Sequence, residues 1–257
     1  MEKEELSYCK NKSLSIYYEQ HGSGSPVILI HGGTVNFQTN YVVFGWVECL
    51  KKRGFKVVGL DLRGHGKSDK PDDVASYGTE NLASDVLAVM DELDLNRVSV
   101  VGYSIGSAVA LHLIQEFPEH FSKAALVATG DGLIGIPPHT FPAILPGLVE
   151  VASRSEYPSD LPPYLATYWN FIADSGGNFE VASAIAKADY PPLSMELASK
   201  IKVPVMVVSG TEDRVLGQGE TLAKTIPNGE YLEITKADHF NLAAIDSVKN
   251  AIADYFS

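Results

Sequence analysis

Short apolar runs alternate with stretches of helical periodicity along most of the chain. Val27–Ile30, Phe55–Leu60 and Val98–Val101 are almost uninterrupted apolar runs, which is typical of strands buried on both faces of a sheet. Further strands are predicted at Ala124–Ala128, Val203–Ser209 and Glu230–Thr235. Helices are predicted at Tyr41–Lys52, Thr79–Leu93 (capped by Thr79), Ser104–Phe117, Gly217–Ile226 and Leu242–Phe256. This alternation predicts an α/β fold in which right-handed crossovers build a parallel sheet with helices on both faces.

The alternation is interrupted once and preceded by one hairpin. Leu6–Lys10 and Leu14–Gln20 predict two short antiparallel strands at the N-terminus. Residues 131–198 hold many prolines and aromatic residues, with short helical pieces and no clear strand. We therefore expect an α/β core made of residues 1–130 and 199–257, with a helical cap or lid at 131–198 inserted between two strands.

The sharpest motif is Gly102-Tyr-Ser-Ile-Gly106, which follows a predicted strand and opens a predicted helix. Such a tight turn needs glycines on both sides, because side chains there would collide. It presents the Ser104 hydroxyl at the carboxyl edge of the sheet, where open α/β sheets bind ligands. The pattern predicts a nucleophilic serine, and the N–H of Ile105 at the helix start favours negative charge.

A serine nucleophile needs a base and a group that orients the base. Of the seven histidines, His239 follows the last predicted strand and is the predicted base, whereas the other six are interpreted as structural. Asp213 follows the preceding strand and completes the order Ser104, Asp213, His239. Asp131, one strand earlier, is the alternative acid.

Two glycine-rich loops lie at the same predicted edge. His31-Gly-Gly-Thr34 leaves room for a substrate carbonyl, so the N–H of Gly33, or second that of Thr34, is predicted to bind an oxyanion together with Ile105. In the second loop, we interpret Arg63, Asp61 and Asp69 as a structural ion-pair network. Its glycines lack the spacing of a phosphate-binding loop.

Composition narrows the possible partners. The 257 residues include 20 Lys and Arg and 32 Asp and Glu, a net charge of −12, which disfavours nucleic acid and anionic membranes. The two cysteines, Cys9 and Cys49, form neither a disulfide framework nor a zinc pattern, so no metal is expected. The charged N-terminus lacks the apolar segment of a secretion signal, and a cytoplasmic location is expected.

Taken together, the motifs resemble those of the α/β-hydrolase superfamily. The similarity spans nearly the whole chain and rests on His-Gly-Gly, Asp-x-Arg-Gly-His-Gly-x-Ser, the serine turn, Gly-Thr-Glu-Asp213 and Asp-His239-Phe. It implies an eight-stranded, mostly parallel sheet, a helical cap after strand six and no cofactor. A serine at position 104 excludes the members that use aspartate there, and Gly106-Ser107 departs from the more frequent Gly-Gly pair.

The sequence therefore predicts a carboxylic ester hydrolase that acts through an acyl-enzyme on small-molecule esters with short to medium acyl chains. Hydrolysis of a C–C bond or enol-lactone with the same residues is the alternative, and perhydrolysis is a possible side reaction. An alternative of another class is a small-molecule receptor, which a missing catalytic residue would indicate. The predicted substrate contacts are Thr34, Tyr103, Phe141 and Trp169.

Overall fold

A computed structural model describes residues 7–135, 147, 149–151, 163–174 and 179–257. Its eight strands form one sheet in the order β1-β2-β4-β3-β5-β6-β7-β8. The strands are β1 (Ser7–Asn11), β2 (Leu14–His21), β3 (Ser25–Ile30), β4 (Phe55–Leu60), β5 (Val98–Tyr103), β6 (Phe121–Val127), β7 (Val205–Gly210) and β8 (Gly229–Ile234). Strand β2 pairs antiparallel with β1 and β4, and the other pairs are parallel. The predicted α/β class with an eight-stranded, mostly parallel sheet is confirmed.

Helices cover both faces of this sheet. They are α1 (Trp46–Lys52), α2 (Thr79–Glu92), α3 (Ile105–Glu116), α4 (Pro163–Asp174), α5 (Phe179–Lys187), α6 (Met195–Ala198), α7 (Glu220–Thr225) and α8 (Asp246–Phe256). One apolar cluster joins the sheet to α2, α3 and α7 through residues such as Val86, Val109 and Leu222. The other joins the opposite face to α1 and α8 through Leu50 and Ile252. The site at the sheet edge therefore rests on a core packed from both sides.

Helices α1 and α8 begin later than predicted, and α2 begins at the predicted residue but with a different capping residue, because of the backbone conformation before each helix. The predicted helix from Tyr41 is divided by Gly45, whose φ of 75° places it in the left-handed region, and α1 starts at Trp46. Gly78, with φ of 111°, occupies the capping position of α2, and Thr79 is the first helical residue rather than the cap. Before α8, the extended backbone of Ile245 separates a short 3₁₀ turn from the helix.

The chain between β6 and β7 contains α4, α5 and α6 in its described part. Helix α5 packs onto the core through Val181, Ala184 and Ile185, which belong to the larger apolar cluster. Phe141 lies outside the described residues. Among the residues that the structure describes, no helix has the length and apolar character needed to cross a bilayer.

Candidate active site

The turn between β5 and α3 is as tight as the glycine pattern predicts. Ser104 has φ of 53° and ψ of −115°, a conformation that non-glycine residues rarely adopt. A Cβ on Gly102 would stand 2.2 Å from the carbonyl oxygen of Gly106, and one on Gly106 would stand 2.3 Å from that of Ile30. Glycine is therefore required at both positions for α3 to approach the sheet.

Ser107 explains the departure from the more frequent Gly-Gly pair. Its side chain is fully buried beneath the turn. The hydroxyl lies 2.8 Å from the carbonyl oxygen of Gly102 and 2.9 Å from that of Val127, and it donates to this pair of acceptors. The backbone N–H of Ser104 also donates to Val127, at 2.9 Å. The additional hydroxyl thus ties the start of α3 to the ends of β5 and β6.

A row of hydrogen bonds leads from the turn into the protein. Ser104 Oγ lies 2.8 Å from His239 Nε2, and His239 Nδ1 lies 2.9 Å from Asp213 Oδ2. The carboxylate accepts a hydrogen bond from Nδ1–H, so Nε2 is left as the acceptor that faces the serine hydroxyl. The structure therefore brings together the three side chains that the sequence predicts as nucleophile, base and acid.

Asp213 is held as an anion inside the protein. Its other carboxylate oxygen accepts the N–H groups of Val215, at 2.8 Å, and Leu216, at 3.0 Å. Burial acts to raise the pKa of Asp213, but the charge and hydrogen bond of His239 and these two N–H groups together hold the pKa below its usual value. A carboxylate that stays ionised keeps the imidazole in one tautomer.

Asp131, the alternative acid, is engaged elsewhere. Its Oδ1 accepts the N–H of Leu222 at 2.8 Å, in the first turn of α7. A carboxylate at this position satisfies a free N–H of the helix start and complements the helix dipole. The geometry therefore favours Asp213 over Asp131 as the partner of His239.

The loop that follows β3 passes beside Ser104. A Cβ on Gly32 would stand 3.5 Å from Ser104 Cβ, and one on Gly33 would stand 3.8 Å from Ile105 Cγ2. The N–H of Gly32 donates to Asn40 Oδ1 at 2.8 Å, and that of Thr34 donates to His65 Nε2 at 3.1 Å. Because the N–H of Thr34 already donates to His65, the geometry disfavours Thr34 as an oxyanion donor. Gly33 remains the predicted donor of this loop.

Two buried histidines hold this loop in place. His31 Nδ1 lies 2.7 Å from the carbonyl oxygen of Gly32, while His31 Nε2 accepts the N–H of Leu62 at 3.0 Å. His65 Nδ1 lies 3.0 Å from the carbonyl oxygen of Arg63, which leaves Nε2 to accept from Thr34. Both rings are therefore neutral. Burial lowers the pKa of His31 to about 4, and burial together with the neighbouring His31 lowers that of His65 to about 3.

The depressed pKa of His65 predicts a loss of stability in acid. Between pH 6.5 and about pH 3 a histidine in the unfolded chain binds a proton that the folded His65 does not bind, so unfolding becomes more favourable as the pH falls. From pH 7.5 to 5 this contribution amounts to about 2 kcal/mol for one such histidine. We expect His65→Gln to lose about that much less stability than the wild type over this range, measured by urea unfolding.

The matched control is His120→Gln, whose histidine side chain is 39% exposed in the 3₁₀ turn just before β6. It should lose as much stability between the two pH values as the wild type does. An equal acid loss in His65→Gln and the wild type would show that His65 is not the buried neutral group described here.

Arg63 binds a partner that the sequence did not indicate. Its guanidinium contacts Asp85 on α2, with Nη2 to Oδ1 at 2.7 Å and Nε to Oδ2 at 3.0 Å. The two side chains are 6% and 0% exposed. The predicted network with Asp61 and Asp69 is wrong. Asp61 accepts backbone N–H groups of Phe37 and Lys67, and Asp69 accepts that of Ser15.

The remaining predicted contacts differ in their surroundings. Tyr103 is buried and donates its hydroxyl to the carbonyl oxygen of His239 at 2.6 Å, so the protein itself uses the group predicted for a substrate. Burial raises the pKa of this phenol well above its usual range. Trp169 on α4 is half-buried, with its ring 5.4 Å from that of Phe179 on α5.

In the described ranges, no three His, Cys, Asp or Glu side chains converge as a metal site would require.

Comparison with known proteins identifies relatives that match about nine-tenths of the chain. A family model described as the alpha/beta hydrolase fold matches residues 25–150. The AB hydrolase superfamily protein YisY of Bacillus subtilis is 27% identical over 250 residues, covering 88% of this chain and 89% of the relative. The bifunctional esterase/perhydrolase DCH of Acinetobacter calcoaceticus is 24% identical over 266 residues, covering 91% and 93%.

A solved structure is similar over the same extent. The structure of Est816, described as an N-acyl homoserine lactone degrading enzyme, superposes with a TM-score of 0.74 at 27% identity. The match covers 98% of this chain and 100% of that protein.

Proposed function

The chain belongs to the α/β-hydrolase superfamily, and from this premise we propose that it is a serine hydrolase of carboxylic esters. The observation that carries the proposal is the 2.8 Å approach of Ser104 Oγ to His239 Nε2, with Asp213 on the far side of the imidazole. A receptor with this fold would not need a serine, a histidine and an aspartate joined by hydrogen bonds. The esterase relative supports the same reaction class.

In the first half of the reaction, His239 Nε2 takes the proton of Ser104 as Oγ attacks the ester carbonyl carbon. The carbonyl oxygen becomes an oxyanion, which the N–H groups of Gly33 and Ile105 bind. Asp213 stabilises the imidazolium that forms. Collapse of the tetrahedral intermediate breaks the bond to the alcohol, which leaves with the proton from Nε2 and gives the acyl-enzyme.

In the second half of the reaction, water hydrolyses the acyl-enzyme, and His239 again acts as base and then as acid. His239 Nε2 takes a proton from water, and the hydroxide attacks the acyl carbonyl carbon. The second tetrahedral intermediate expels Ser104 Oγ, which regains its proton from His239, and the carboxylic acid is released. No cofactor enters these steps.

The proposed cap at 131–198 sets the acyl preference. In its described part, Trp169 packs on Phe179, and Phe179 packs on Ile172 and Ala182, so the helices share a small apolar core of their own. We propose that the apolar residues of the cap that are not part of this small core line a shallow apolar pocket above Ser104. Acyl chains of short to medium length fit this pocket.

Hydrolysis of a lactone is the second candidate function. A lactone is a cyclic ester, so the same serine, histidine and oxyanion groups act on it, with the alcohol remaining attached to the acid product. Similarity to Est816 favours this candidate. Perhydrolysis, in which hydrogen peroxide replaces water, is consistent with the relative from Acinetobacter calcoaceticus.

A substrate panel tests these proposals together. We expect higher kcat/KM on p-nitrophenyl acetate, butyrate and hexanoate than on the laurate and palmitate, with no activation at an emulsion interface. An N-acyl homoserine lactone and a meta-cleavage product in the same panel separate lactone and C–C bond hydrolysis from ester hydrolysis. If emulsified palmitate is the best substrate, the proposed shallow pocket is wrong; if no ester is cleaved, the esterase proposal fails.

Trp169→Ala provides the matching test of the pocket. We expect it to change the ranking of the acyl chains, because a smaller side chain enlarges the apolar space beneath the cap. Phe44→Ala is the control, since that aromatic residue is 36% exposed in the loop before α1. An unchanged ranking in Trp169→Ala would place this residue outside the acyl pocket.

A further inference from the structure

A cavity of about 460 Å³ lies on the side of the oxyanion loop where Thr34 meets His65. Its size is within the range of small-molecule sites. Its walls come from β2, the loop after β3, the loop after β4 and helix α5. Thr34, a predicted substrate contact, is part of its lining, whereas the three residues proposed for catalysis, Gly33 and Ile105 are not. The cavity is therefore distinct from the catalytic serine but adjoins the oxyanion loop through Thr34.

One wall of the cavity is apolar. Val35 comes from the oxyanion loop, and Val181, Ala182 and Ile185 come from α5. Each of these four side chains is at most 6% exposed. An apolar wall suits the hydrocarbon part of a ligand, because the contact buries apolar surface without desolvating polar groups.

The lining also includes two exposed lysines, Lys67 and Lys70, whose ammonium groups carry positive charge. Lys67 Nζ donates to Tyr17 Oη at 3.0 Å and lies 4.3 Å from the centre of that ring. Lys70 Nζ donates to the carbonyl oxygens of Gly66, at 2.5 Å, and Ser68, at 3.0 Å. Neither lysine forms a salt bridge with a carboxylate of the described chain, although the protein carries a net charge of −12.

The two acids in the lining already have donors of their own. Asp61 accepts the N–H of Phe37 at 2.9 Å and that of Lys67 at 2.8 Å, one on each oxygen. Glu19 accepts the hydroxyl of Tyr17 at 2.8 Å, and its second oxygen lies 3.0 Å from His21 Nε2. Each lysine ammonium has three N–H donors, so beside the contacts described Lys67 retains two and Lys70 one. Ammonium N–H groups bind carboxylates by charge-assisted hydrogen bonds.

We propose that this cavity is a second small-molecule site, which binds a small carboxylate through Lys67 and Lys70 and its hydrocarbon tail through the α5 wall. A ligand there lies against Thr34 and His65, the two groups whose hydrogen bond holds the loop that presents Gly33. Occupancy therefore alters the oxyanion loop and lowers kcat. Binding itself does not depend on the proposed esterase activity, whereas the kinetic effect does.

Isoleucine-methyl NMR locates binding without reference to turnover. Hexanoate is titrated into the protein at constant ionic strength, with 1-hexanol as the uncharged probe of equal tail length. We expect the Ile185 methyl to shift and saturate at millimolar hexanoate, and at least about tenfold weaker binding of hexanol. Ile105, beside Ser104, reports any separate binding at the catalytic serine.

Charge removal identifies the anchoring groups. Lys67→Met combined with Lys70→Met should weaken the Ile185 response to hexanoate at least about tenfold. Lys202→Met, at an exposed lysine that is not part of the cavity lining, should leave the response unchanged. In ester hydrolysis, hexanoate should lower kcat of the wild type, and this component should be absent in the double variant.

Three results would overturn the proposal. One is the absence of a saturable Ile185 shift up to about 50 mM hexanoate, which is weaker than any specific site of this size. Another is hexanoate binding of equal strength in the wild type and the double variant. The third is purely competitive inhibition that is the same in both proteins, because the acid would then act only at the catalytic serine.

Discussion

Ser104→Ala is expected to reduce ester hydrolysis by about ten-thousand-fold or more while the protein remains folded. The hydroxyl is the only atom removed, and its described contact is the hydrogen bond to His239 Nε2. Without Oγ there is no acyl-enzyme, and the remaining groups can only assist direct attack by water. The measurement is kcat/KM on one short p-nitrophenyl ester in freshly purified protein.

Folding is judged separately from activity. The strained backbone at Ser104 remains in the alanine variant, so its melting temperature should stay within a few degrees of the wild type. Ser107→Ala is the matched control, because it removes a hydroxyl three residues away that bonds only to the protein. We expect Ser107→Ala to lower stability by about 1 kcal/mol and to retain most of the activity. Retention of more than a few per cent of the rate in Ser104→Ala would exclude Ser104 as the nucleophile.

Local signals explain why much of the fold could be predicted. The buried strands are recognisable as apolar runs. The serine turn is recognisable because its two glycines indicate a close approach of backbone to backbone. The order of serine, aspartate and histidine along the chain follows the order of the strands. Because parallel strands end at one edge, that order predicts which three side chains lie near each other.

The supporting contacts of the site carry no such local signal. Asn40 accepts the N–H of Gly32, and Asp85 binds Arg63, but nothing in the residues around either one marks it as a partner. Both contacts arise from how the loops and α2 pack in three dimensions. His31 and His65 stand in recognisable glycine-rich motifs, yet their role as hydrogen-bond acceptors is visible only once both loops are placed.

Helix boundaries illustrate the same limit. Apolar periodicity extends through Gly45, and a pattern of side chains does not register the left-handed backbone that ends helical geometry there. Thr79 has the side chain of a good cap but follows Gly78, whose backbone takes the capping position. In both cases the glycine conformation, and not side-chain preference, determines where the helix begins.

Asp213→Asn is expected to reduce kcat by about ten-thousand-fold, with little change in melting temperature. The amide keeps the size of the side chain but can present N–H to His239 Nδ1, which then becomes an acceptor. The proton moves to Nε2, and the imidazole can no longer accept the proton of Ser104. The pair of backbone N–H groups from Val215 and Leu216 holds the oxygen of the amide as it holds the carboxylate, which favours this wrong orientation.

Asp131→Asn is the discriminating control, since the same atom is replaced at the competing acid. Its oxygen can still accept the N–H of Leu222 at the start of α7, so we expect nearly full kcat and a stability change of no more than about 1 kcal/mol. The two variants therefore separate by about four orders of magnitude in kcat on a single ester. The reverse ranking would assign the orienting carboxylate to the end of β6, and it would require His239 to leave the 2.9 Å contact with Asp213 during turnover.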